Sequence, residues 1–78
     1  MDELNWLDEA DGRLTRIVIG WPAIEPEVMK IKKHVRYALN NPRAVDLEKA
    51  VEHVKGMMTA AMVLYPEFEE HFRPVLER

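Results

Sequence analysis

Apolar residues recur along this chain every three or four positions and nowhere alternate with polar ones, the period of an α-helix and not of a β-strand. Leu4, Leu7, Ala10, Leu14, Ile17, Val18 and Trp21 fall on one helical face, with Trp6 at its margin. Val28, Ile31, Val35, Ala38 and Leu39 share a second face. A third set, Leu47, Ala50, Val51, Val54, Met57, Met58, Ala61, Met62 and Leu64, spreads over roughly 160°, as expected of a central helix that touches two neighbours.

Prolines set the boundaries. Trp21-Pro22, Asn41-Pro42 and Tyr65-Pro66 interrupt the periodic stretches, because proline lacks the amide proton that the helical ladder needs. The pattern predicts helices over about 3–20, 27–39, 44–65 and 67–73. Asp2 or Asn5 can cap the first, Pro26 suits the first position of the second, and Pro74 is expected to end the fourth. The connectors are short, which favours antiparallel neighbours. The expected fold is therefore all-α: a small antiparallel bundle of three main helices plus a short C-terminal helix, in a single domain with no internal repeat.

Seventy-eight residues make a thin core, so further burial by self-association is expected to help, and a homodimer is the expected assembly. Residues 46–65 carry the strongest signal for it. Gly56 and Ala60 place small residues four apart, Val63 continues their line, and Met57, Met58 and Met62 make the last two turns apolar nearly all round. Gly56, Met57, Ala60, Met62 and Val63 are the candidate self-association residues, with Phe68 and Phe72 covering or extending the patch.

Charge adds a second surface. Residues 1–11 hold Asp2, Glu3, Asp8, Glu9 and Asp11 and no base, whereas residues 30–43 hold Lys30, Lys32, Lys33, Arg36, Arg43 and His34 and no acid. Lys30, Lys32, Lys33, His34, Arg36 and Tyr37 sweep the polar face of the second helix. They are candidates for an acidic ligand or for nucleic acid, with Tyr37 available to stack on a base. Two features weigh against nucleic acid: the net charge is −3, and the helix after the Asn40-Asn41-Pro42 turn is slightly acidic. The competing reading is a solvated face whose bases answer the acids of the first helix.

The composition narrows the chemistry. There is no cysteine and no serine, which removes disulfides, thiolate zinc ligands and the commonest nucleophiles. No glycine-rich phosphate loop is present, and the lone carboxylates lack a paired base, so no enzyme activity and no cofactor are expected. Glu67, Glu70 and His71, joined by His53 or His34, form the one candidate metal set, but the Glu-x-x-His spacing of bundle metal sites is missing. The longest apolar run is about eight residues, well short of the ~20 needed to cross a bilayer, and the acidic start is unlike a secretory signal. A cytoplasmic location follows as the expectation. A third of positions are charged and glutamine is absent, which points toward a thermophilic source, although five methionines and three asparagines pull the other way. The function these features support is a small non-enzymatic interaction module.

Overall fold

The computed structural model describes residues 2–77, which form only helices and turns. α1 covers Glu3–Gly20, α2 Glu25–Asn40, α3 Leu47–Leu64 and α4 Glu69–Leu76, with single 3₁₀ turns at Pro22–Ile24 and Pro66–Phe68. The all-α bundle predicted from the helical spacing is the fold observed.

The last three helices differ from their predicted ranges by one to three residues at each end, and three of these shifts have a clear local reason. α2 starts at Glu25 instead of about 27, because the 3₁₀ turn opened by Pro22 runs directly into it and Pro26 sits in its first turn. α3 starts at Leu47 instead of about 44. Asp46 is its cap, in extended backbone, and the Asp46 carboxylate accepts a hydrogen bond from the Lys49 amide at 3.2 Å. α4 passes through Pro74 to Leu76 instead of ending at about 73. The carbonyl that Pro74 leaves without a helical donor belongs to Glu70, which is exposed to water, as Pro74 is. Phe72 and Val75 on either side are fully buried and hold the turn in place. Arg73 also ties this turn together, pairing with Glu69 one turn before it and with Glu77 at 3.3 Å one turn after. Those two carboxylates, Glu69 foremost, raise the Arg73 pKa above its ordinary value.

Neighbouring helices run in opposite directions. Asp11 and Thr15 of α1 meet Arg36 and Lys32 of α2, so one number rises as the other falls. His34 of α2 meets His53 of α3, and Trp6 of α1 and Trp21 at its cap reach Val75 and Phe68 on the last hairpin. One apolar cluster fills the centre. It takes Leu7, Ala10, Leu14 and Ile17 from α1, Val28, Ile31, Val35 and Ala38 from α2, Val51, Val54, Met58 and Ala61 from α3, and Phe72 and Val75 from α4.

The structure also exposes an internal duplication that the residue pattern alone did not reveal. The pair α1 and α2 recurs as α3 and α4 at an offset of 44 residues. Asp2 and Asp46 both cap an 18-residue helix by accepting from the amide three residues on. Thr15 and Thr59 both donate their hydroxyl to the carbonyl four residues back. Gly12 matches Gly56, Pro22 matches Pro66 and Glu25 matches Glu69. Trp21 and Tyr65 each end their helix with an amide bond of 2.8 Å, to Ile17 and Ala61 respectively. Buried residues coincide as well: Leu7 with Val51, Ala10 with Val54, Leu14 with Met58, Ile17 with Ala61, Ile24 with Phe68, Val28 with Phe72 and Ile31 with Val75. The bundle is thus two αα-hairpins whose caps, corners and buried positions correspond.

The second hairpin is cut short: α4 has 8 residues where α2 has 16. Where α3 carries Ala50 beneath the far half of α2, the matching position of α1 is Trp6, 2% exposed, which fills the space beyond the end of α4. Its indole N–H donates to the Val75 carbonyl at 2.9 Å, in the last turn of α4, where the carbonyls run out of regular helical donors. The Lys55 ammonium lies 5.5 Å from the centre of the Trp6 ring. Trp6→Phe keeps most of the volume but removes the indole's buried hydrogen bond to that carbonyl. The variant should lose about 1–3 kcal/mol of unfolding free energy in a urea titration, with amide exchange accelerating in α4 before α2.

Candidate interaction face

The packing of α2 against α3 leaves a long face of these two helices open to solvent. α2 contributes Glu27, Lys30, His34 and Tyr37 to it, spaced by three and four residues. α3 contributes Lys49, His53, Met57, Ala60 and Leu64 in the opposite direction. Two hollows lie along the seam. One, at the end near the Pro22 and Pro66 turns, is lined by Ile31, Met57, Ala60, Ala61 and Leu64, with Glu27 and Lys30 at its rim. The other is lined by Tyr37, Ala38, Val45, Asp46, Lys49 and Ala50, and His34 and His53 close it.

The predicted self-association residues divide between surface and core. Gly56 and Ala60 are exposed, Val63 is 78% exposed, and Met57 and Met62 are half-buried against the core. A Cβ placed on Gly56 would meet nothing within 4 Å, so the chain itself does not use that gap. Phe68 and Phe72 are 0% exposed and stack on each other with ring centres 5.0 Å apart. They face inward, because the turn at Pro66 aims the short helix at α1, and this takes them off the surface open to a second chain. The residue patterning missed Leu64 and Ile19, 70% and 75% exposed. Ile19 is the counterpart of Val63 in the duplication, and both stand two residues before the aromatic residue that stops their helix.

The basic ridge of α2 does not stand free as a unit. Lys32 is tucked against α1, where it bonds to the Thr15 hydroxyl and lies 3.8 Å from Asp11. Arg36 donates to the other Asp11 oxygen at 3.3 Å, and Lys30 pairs with Glu27 at 3.1 Å. The Lys32 and Arg36 contacts are the in-chain answer to the acids of α1, whereas the Lys30 pair lies within α2. Lys33, His34 and Tyr37 remain exposed, with His34 turned to His53 and Tyr37 at the second hollow.

The candidate metal set is not assembled. Glu67 and Glu70 line a shallow hollow on the outer side of α4, His71 is exposed on the same helix, and His53 sits across the bundle against His34. Among the described residues no group of three histidine, aspartate or glutamate side chains is placed to hold an ion. No described helix is long and apolar enough to cross a membrane.

Asp11 carries the greater part of the α1–α2 polar contact. Its side chain is only 15% exposed, and its Oδ1 has Lys32 as nearest cation yet no hydrogen bond. Asp11→Ala would leave Lys32, 19% exposed, without a counter-charge, whereas Arg36 at 60% simply turns to solvent. The variant should lose about 1–2 kcal/mol in urea unfolding, and Asp11→Asn less. Compared with protein-family models, with curated proteins and with solved structures, the chain matches none of them significantly.

Proposed function

We propose that this chain is a small non-enzymatic interaction module of the cytoplasm that works by pairing with a second copy of itself through the α2–α3 face. The observation that carries this reading is the end of α3. There Leu64 stands 70% exposed in the lining of a hollow that Ile31, Met57 and Ala61 share, and Val63, 78% exposed, stands next to it in the same turn. Large side chains left in water at the edge of an apolar hollow gain about 25 cal/mol for each Å² they bury. A stable dimer buries roughly 600–1,000 Å² on each copy. The chain exposes 5081 Å², so between about an eighth and a fifth of its surface would be used.

The rim charges suit a twofold partner. Glu27 and Lys30 lie on the same edge of the hollow, so in an isologous pair Glu27 of one copy can face Lys30 of the other. Gly56 and Ala60 supply the low relief that lets two helices approach closely. The exposed remainder of the basic ridge, Lys33 with His34 and Tyr37, is the surface left for a further acidic ligand.

Sedimentation velocity separates the possibilities. Wild-type protein at tens of micromolar should sediment as a dimer, and Ala60→Glu, which places a charge at the hollow without touching the core, should sediment as a folded monomer. A wild-type monomer under those conditions would remove the proposal.

A further inference from the structure

His34 and His53 meet across the seam between α2 and α3 with ring centres 4.8 Å apart and planes at 65°. Both residues are exposed, so burial does not drive the contact. The duplication does not require it either: the residue of α1 that matches His53 is Glu9. Two imidazoles bound to one ion at about 2.0–2.1 Å, with a tetrahedral angle between them, have their ring centres roughly 5 Å apart. The register of α2 against α3 brings the two rings to that separation in an edge contact, and both side chains, being exposed, have room to turn a nitrogen onto one ion.

We propose that His34 and His53 form a two-imidazole site for a borderline transition-metal ion, of the zinc, nickel or copper class that imidazole nitrogen favours. The ion would clamp α2 to α3. Its remaining positions would be open to water or to a small ligand in the adjoining hollow of ≈ 390 Å³, which Tyr37, Asp46 and Lys49 line. Asp46 is engaged as the cap of α3, so the protein supplies two ligands and not three. Binding needs both rings neutral, so protons compete with the metal and affinity falls in acid. The site lies within one chain and does not depend on dimer formation.

The test is titration of the intact, metal-free protein with zinc, nickel and copper chlorides, followed by calorimetry and by imidazole nitrogen spectra. At least one of these ions should bind once per chain, shift the His34 and His53 resonances before that of His71, and raise the melting temperature. His34→Ala and His53→Ala should each weaken binding by more than about tenfold, as should the conservative His53→Gln, whereas His71→Ala should leave it unchanged. Far-UV circular dichroism checks that each variant keeps its helices. No binding of any of the three ions to the wild type, or undiminished binding to a His34→Ala, His53→Ala double variant, would overturn the proposal.

Discussion

The architecture rests on two corners at one end of the bundle, each made by an aromatic residue followed by proline. Trp21 and Tyr65 close their helices by bonding back to the carbonyl four residues earlier, and proline then forbids the ladder from continuing. The third residue after each aromatic, Ile24 or Phe68, bonds to the aromatic's own carbonyl and turns its side chain into the core. The chain reverses in a single 3₁₀ turn, and a hairpin results. The two corners then touch, Trp21 lying edge-on to Tyr65 at 6.5 Å and against Phe68 at 5.8 Å. That aromatic contact joins one hairpin to the other at this end of the bundle, and the shared core continues the join along the helices.

From those corners the hairpins diverge in a way that steric demand explains. α2 is long enough to cover the far halves of α1 and α3 as well, so small residues suffice there: Ala38 on α2 and Ala50 on α3. α4 stops half-way, and indole replaces methyl at the matching position of α1. Trp6 acts both as filler and as cap, which is why an eight-residue helix with a proline inside it can persist at all. The asymmetry has a second result. The polar seam between α1 and α2 is an ion pair around Asp11, whereas Lys55, at the matching position of α3, covers Trp6.

Much of this was legible in the residue pattern, and the parts that were not share a cause. Helical spacing identified Leu7, Leu14, Val28, Val35, Val54 and Met58 as inward-facing, because one apolar stripe per helix is a local property. Cap positions were less clear, since Asp46 lies inside an apparently helical stretch and only its bond to Lys49 marks it as the start. The duplication hid because its matches are caps, a glycine, a threonine and a proline, while the core pairs differ in kind: Leu14 against Met58, Ile24 against Phe68. Phe68 and Phe72 looked like surface cover because the direction of a short terminal helix is not encoded in its own period. The approach of His34 to His53 was hidden for the same reason. It is set by the register of two helices, which depends on the whole core and not on either segment.

Trp6 lies in the first turn of α1 and Trp21 caps its far end, fifteen residues and so about 22 Å apart, in unlike surroundings. Trp6 is sealed, with its N–H bonded to a carbonyl and an ammonium over its ring; Trp21 is half-buried among the aromatic corners at the opposite pole. Intrinsic fluorescence from this chain is therefore a two-channel signal. Fraying of the C-terminal helix brightens or quenches one emitter, and loosening of the corners shifts the colour of the other, so the order in which the ends come apart can be read without attaching a dye.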